Sequence, residues 1–174
     1  MTEKWNIAIC DSEKLSLEYI AEKVKKKFLK YYIQTECETF ENPIHLLEKI
    51  GKNTYFQVYF LDISIQEMDG ITLGNEIKKK DPEARIVFVS ARESDIFRTF
   101  EVGPCGFIRK NNFLNDLDHT IDDFYLRYKA QGEEICWIED KNGEYTPLKV
   151  HQVLFLKEEK KNVYAVTEQK NFWI

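Results

Sequence analysis

Between Trp5 and Ala130 a short β-prone run gives way five times to a segment with helical spacing, and this alternation constrains the fold more than any other feature of the chain. Trp5 to Cys10 leads to Leu17, Ile20, Ala21, Val24 and Phe28, spaced as one face of an amphipathic helix, with Asp11-Ser12 as its cap. Ile33 to Phe40 reads as a second strand, followed by a short helix to Ile50 with Asn42 as cap and Pro43 in its first position. Tyr55 to Leu61 is a nearly unbroken apolar run, as expected of a strand buried on both faces. It stops at Asp62, and a helix over 71–80 follows a loop closing at Asp69-Gly70. Arg85 to Ser90 and Cys105 to Arg109 complete the strands, with helices expected over 94–102 and from Leu117 to about Ala130. Strands alternating with helices imply α/β architecture: a doubly wound parallel sheet of (βα)5 type with right-handed crossovers.

The grammar changes after residue 131. Ile135 to Ile138 and Tyr145 to Val150 flank Asp140-Lys141-Asn142-Gly143, a hairpin signal. Val153 to Leu156 and Val163 to Thr167 flank a second, charged turn. Two regions are therefore expected: an α/β domain over 1–131 and a short all-β segment over 132–174. The apolar ending Phe172-Trp173-Ile174 reads as a cut end, whether from truncation or a naturally short chain. Incomplete β structure leaves strand edges, so pairing with the first domain or with a second copy of the chain is expected.

Charge and composition exclude several classes. The 25 basic and 30 acidic side chains give a net charge of −5. Residues 1–131 carry 19 basic and 22 acidic groups, and residues 132–174 carry 6 and 8, so neither region has the surplus of a nucleic-acid-binding domain. No apolar run is long enough for membrane insertion and no signal peptide opens the chain, which points to a cytoplasmic protein. Cys10, Cys37, Cys105 and Cys136 lack metal-site spacing and read as reduced thiols. His45, His119 and His151 are scattered, and no phosphate-binding glycine motif occurs.

In an open parallel sheet, function gathers beyond the carboxyl ends of the strands. That rule selects Asp11-Ser12, Asp62, Ser90 and Lys110. Alone, each is as readily a helix cap, a loop residue or a surface charge. Together they have a coherent chemistry, because carboxylates suit Mg²⁺, a carboxylate can attack phosphorus, and an ammonium and a hydroxyl can hold phosphoryl oxygens.

Phe60-Leu61-Asp62-Ile63, Met68-Asp69-Gly70-Ile71, Val87-Phe88-Val89-Ser90-Ala91 and Gly106-Phe107-Ile108-Arg109-Lys110 resemble the receiver domain of bacterial two-component response regulators, over about residues 5–130. The resemblance implies a flavodoxin-like fold and a phosphorelay function, with Asp62 as phosphoacceptor for a sensor histidine kinase. It implies Mg²⁺ held by Asp11, Asp62 and the backbone carbonyl of Ser64, with Ser12 as a further candidate ligand. Ser90 would be the switch hydroxyl, Phe107 the switch aromatic and Lys110 the phosphate-contacting lysine. It implies no separate enzymatic activity beyond weak hydrolysis of the protein's own phosphoaspartate. Two positions depart from the pattern. Ser12 stands where a second adjacent acid is usual, so weaker metal binding is expected, and Asn111 stands where proline usually follows the lysine. Thr146 to Leu156 with Asn162 to Val166 resembles the opening strands of a LytTR-type DNA-binding domain, which implies a transcriptional output that contacts DNA only when complete. Two alternatives stand beside this. One is a degenerate receiver acting as a phosphorylation-independent interaction module, which Ser12 supports. The other is a dehalogenase-like phosphatase, which Ser64 opposes by occupying the place of that family's second acid.

Overall fold

A computed structural model describes residues 3–51, 54–130, 135–139, 145–149, 155–159, 162–166 and 171–173. The strands β1 (Glu3–Cys10), β2 (Ile33–Phe40), β3 (Val58–Asp62), β4 (Ile86–Ser90) and β5 (Gly106–Arg109) alternate with the helices α1 (Lys14–Leu29), α2 (Pro43–Gly51), α3 (Gly70–Lys80), α4 (Ile96–Thr99) and α5 (Phe113–Ala130). The sheet has the order β2-β1-β3-β4-β5, and all its pairings are parallel. That is the flavodoxin-like order, whose switch point falls between β1 and β3. Every residue of β3 and of β4 is buried, which explains their unbroken apolar character.

The longer helices bury their apolar stripes. Leu17, Ile20, Val24 and Phe28 of α1 are buried, as are Ile71, Leu73 and Ile77 of α3. Trp5 of β1 meets Phe28 and Phe124 at ring-centroid distances of 5.3 and 5.6 Å. Beneath the site lies a cluster that includes Leu61, Ile63, Ile71, Leu73 and Phe88.

The expected helix over 94–102 is much shorter than its apolar spacing suggests. A 3-10 turn over Glu93–Asp95 leads into the four residues of α4. The Thr99 hydroxyl donates to the Ile96 carbonyl at 2.7 Å, and Val102 N–H and Gly103 N–H donate to the carbonyls of Thr99 and Phe100, three residues back. Local side-chain bonding and the tighter bonding pattern end the α-helix early. β3 likewise starts at Val58 rather than Tyr55, which is exposed. The cap of α1 also shifts: Glu13 takes the N-cap position and Asp11 accepts from its backbone N–H at 2.9 Å.

The chain divides into two compact units, Met1–Phe124 and Tyr125–Ile174. In the second unit β6 (Ile135–Glu139) pairs antiparallel with β7 (Tyr145–Lys149). β8 (Phe155–Glu159), β9 (Asn162–Val166) and β10 (Asn171–Trp173) form an antiparallel sheet in the order β10-β9-β8. The expected turn at 140–143 lies outside the described residues.

Candidate functional site

Register builds the site. Cys10 of β1 pairs with Leu61 of β3, so the residues that follow, Asp11 and Asp62, emerge side by side at the carboxyl edge. Ser90 of β4 pairs with Arg109 of β5, which places Lys110 one step beyond the same edge. Asp11 is 0% exposed and Asp62 4%. Buried carboxylates require partners. Asp11 Oδ1 accepts from Glu13 N–H at 2.9 Å, and Oδ2 accepts from Ser16 Oγ at 2.6 Å and Lys110 Nζ at 2.8 Å. The same ammonium lies 3.1 Å from Asp62 Oδ1. Lys110 therefore bridges the two carboxylates.

This arrangement sets the protonation of the groups. Burial raises the Asp62 carboxyl above the usual aspartate range, and the charge of Asp11 adds to that; Lys110 and the Ser64 backbone N–H oppose it. Burial alone would lower the Lys110 ammonium, but hydrogen bonding and charge from Asp11 and Asp62 hold it above the usual lysine value. Cys10 is pushed up to about 12, by burial first and then by Asp11 and Asp62, so it is a packing thiol rather than a nucleophile.

The loop after β3 is held close. Gly70 N–H donates to the Ile63 carbonyl at 3.0 Å, and a Cβ at Gly70 would stand 2.0 Å from the Asp62 carbonyl oxygen. Only glycine permits that approach. Asp69 caps α3, accepting from Thr72 N–H at 2.8 Å.

Of the residues singled out from sequence, Asp11, Asp62 and Lys110 are thus in direct contact. Ser64 and Ser12 are exposed beside them in the chain. Ser90 is fully buried, but its hydroxyl donates to Asp95 Oδ2 at 2.7 Å and accepts from Arg92 N–H at 3.0 Å. Phe107 is half-buried, packed against the cluster beneath the site. The bond between Lys110 and Asn111 is trans, as no cis peptide occurs among the described residues. Sequence reading missed Ser16 and Asp95. Ser16 is one of several polar residues in α1, and nothing distinguishes it until the helix is docked. Asp95 reads as a helix-start acid until its carboxylate is seen to face inward.

Two carboxylates with neutral oxygens nearby match the donor set of Mg²⁺, which commonly takes one or two carboxylates and retains waters. Among the described residues no group of three or more His, Cys, Asp or Glu side chains could hold a metal. None of their helices is long and apolar enough to cross a membrane.

Several known proteins are similar to this chain. Transcriptional regulatory protein CssR of Bacillus subtilis (strain 168) is 44% identical over 55 residues, 30% of this chain and 24% of that protein. Accessory gene regulator protein A of Staphylococcus epidermidis is 30% identical over 115 residues, 61% of this chain and 46% of that protein. The protein of the same name from Staphylococcus aureus (strain N315) is 34% identical over 93 residues, 48% of this chain and 39% of that protein. The chain thus spans less than half the length of these curated relatives. In fold it is similar to the BeF3-activated DrrB receiver domain, with TM-score 0.55, 22% identity and coverage of 71% of this chain and 99% of that one. It is also similar to response regulator protein TrrA of Thermotoga maritima in complex with Mg(2+)-BeF, with TM-score 0.58, 20% identity and coverage of 68% and 96%. The family model of the response regulator receiver domain matches residues 7–122. With that match over most of the α/β unit and the acidic pair and lysine at its carboxyl edge, the chain belongs to the response regulator receiver family.

Proposed function

We propose that Asp62 accepts a phosphoryl group from a sensor histidine kinase and that this switches a transcription-regulating output. The observation that carries the reading is the buried Asp62 carboxylate, with an ammonium 3.1 Å away and a second carboxylate on that same ammonium, at the carboxyl edge of the sheet. An Asp62 carboxylate oxygen forms a bond to phosphorus. The bond from phosphorus to the donor atom breaks, and its electron pair leaves with the donor, a histidine nitrogen or the carboxylate of a small acyl phosphate. Lys110 moves from neutralising the carboxylates to pairing with phosphoryl oxygens, since charge-assisted hydrogen bonds are the stronger ones. Ser90 donates its hydroxyl to another oxygen, and the half-buried Phe107 follows into the space left.

Asp11, Asp62, the Ser64 carbonyl and the exposed Ser12 hydroxyl would hold Mg²⁺, which supplies positive charge against the carboxylates and the incoming phosphoryl group. Ser12 offers a neutral oxygen, and Lys110 already occupies both carboxylates, so the metal is held more weakly than by two adjacent acids. The protein has no separate substrate, only slow hydrolysis of its own phosphoaspartate. Residues 132–174 are read as LytTR-type strands, and DNA is contacted only through a complete output domain. The protein's partners are the kinase and a second copy of the chain, in the cytoplasm.

The test is incubation of the full chain with Mg²⁺ and acetyl phosphate, followed by intact-mass measurement. Wild type gains one phosphoryl group and Asp62→Asn gains none. If wild type gains none at any Mg²⁺ concentration, the degenerate interaction module becomes the better reading. Turnover of added phosphoesters would favour the phosphatase instead.

A further inference from the structure

Beside the acidic pair lies a third buried carboxylate, whose partner is the switch hydroxyl itself. Asp95 is 4% exposed. Its Oδ2 accepts from Ser90 Oγ at 2.7 Å and lies 3.3 Å from Arg92 Nε. Its Oδ1 lies 3.7 Å from an Arg98 guanidinium nitrogen. The other end of Arg98 meets Asp69 Oδ2 at 2.8 Å. Asp69 caps α3 and immediately precedes Gly70, whose position is fixed against the Asp62 carbonyl. The polar chain Ser90–Asp95–Arg98–Asp69 therefore runs from the end of β4 to the loop that follows the phosphoacceptor.

A serine hydroxyl carries one proton and can make one donated bond at a time. Ser90 is 0% exposed, so no water shell can take over either bond. With its hydroxyl committed to Asp95, it cannot also donate to a group on Asp62. We propose that Asp95 is a latch: it holds the Ser90 hydroxyl in the resting orientation, and a phosphoryl group on Asp62 must compete with it for that proton. Asp95 is thus a positioning residue that sets how readily the switch is thrown. On release, its carboxylate keeps Arg92 and Arg98 as partners, so the active state leaves no buried charge alone. This inference rests on the reading of Asp62 as the phosphoacceptor.

The probe is beryllofluoride with Mg²⁺, titrated calorimetrically into the chain of residues 1–174. Asp95→Ala removes the competing acceptor and leaves the buried hydroxyl short of one in the resting state. We expect beryllofluoride to bind on the order of tenfold tighter, the scale of one hydrogen bond to a charged group. Asp95→Asn, which keeps a weaker acceptor and the side chain's shape, should give a smaller gain in the same direction. It carries the test if the alanine variant does not fold. A merely structural role would not predict the decisive readout: in a Ser90→Ala background, either Asp95 substitution should leave affinity unchanged. Tighter binding that Ser90→Ala cancels supports the latch, as does binding that appears only once Asp95 is replaced. Wild-type binding that folded Asp95 variants leave unchanged or weaken overturns the latch and leaves the phosphoacceptor standing, as does a gain that persists without the Ser90 hydroxyl. Failure of every variant and of wild type to bind overturns both.

Discussion

The Lys110 ammonium is the electrostatic centre of the pocket, since it contacts both Asp11 and Asp62. Replacing it by methionine keeps the stem and removes the charge. The expected loss at neutral pH is about 2–3 kcal/mol, below the full cost of orphaning a buried ion because Lys110 is partly exposed. The sign of the pH dependence follows from the Asp62 shift. A carboxyl raised in the folded state contributes stability below its unfolded pKa and loses it as pH rises through the folded value. Without Lys110 that folded value rises further, so the destabilisation should shrink on acidification. A loss that urea unfolding finds equal at neutral and acid pH would show that the ammonium contributes only packing. Ser12 gives a second residue-scale prediction. It is exposed, so Ser12→Asp adds a carboxylate without burying it, and a hard cation should bind about tenfold tighter. Unchanged Mg²⁺ affinity in a calorimetric titration would remove Ser12 from the metal site. These roles are legible in the sequence because Asp11, Asp62 and Lys110 sit where short strands stop. The Ser90–Asp95 bond is not, because it depends on which way one turn closes.

At the level of elements, the loop after β3 and the turn after β5 carry the geometry. A methyl group at Gly70 would collide with the Asp62 backbone, with contacts of 2.0 and 2.9 Å, and backbone cannot swing aside as a side chain does. Gly70→Ala should cost more than about 2 kcal/mol and should also slow phosphorylation, because the loop carrying Ser64 must shift. Normal stability measured by thermal unfolding would mean the loop relaxes freely. Beyond β5, Asp116 on α5 accepts from Arg109 N–H at 3.0 Å, Nε at 2.7 Å and a terminal guanidinium nitrogen at 2.8 Å, and from Asn112 at 2.8 Å. Hydrogen bonding to Arg109 holds Asp116 at about 2. Its contribution is present above the unfolded aspartate pKa and is lost as pH falls towards 2. Asp116→Asn should cost about 1–2 kcal/mol at neutral pH, with solvent screening of the half-exposed arginine allowed for, and much less at pH 2. Strand and helix positions here were readable from apolar spacing. The shortened α4 was not, since its apolar residues keep helical spacing while Thr99, Val102 and Gly103 close tighter bonds.

For the whole molecule, charge decides what the chain can hold without help. DNA affinity comes largely from neutralising phosphates, and a net charge of −5 opposes it. Part of the basic clusters is already engaged, although Lys25, Lys26 and Lys30 are exposed. Lys27 at the end of α1 is buried against Asp118 and Asp122, Lys4 pairs with Glu36 at 2.7 Å, and Lys23 pairs with Glu22 at 2.8 Å. At the end of α3, Lys79 pairs with Glu76, while Lys78 and Lys80 donate to the carbonyls of Pro82 and Leu47. Such surface pairs are individually weak, yet each sets a carboxylate or carbonyl beside a cation that a phosphate would otherwise meet. Residues 132–174 add 6 basic and 8 acidic groups, so the second unit does not reverse the balance. This chain should therefore show no saturable binding to a duplex below about 1 μM at physiological salt, the tight end of non-specific affinity. Lowering the salt should bring only a shallow gain, because few counterions are released. Fluorescence anisotropy with a labelled duplex at two salt concentrations measures both quantities. Sub-micromolar binding with a steep salt slope would mean that the strands β6 to β10 assemble a positive surface despite their composition, and the requirement for a complete output domain would fall.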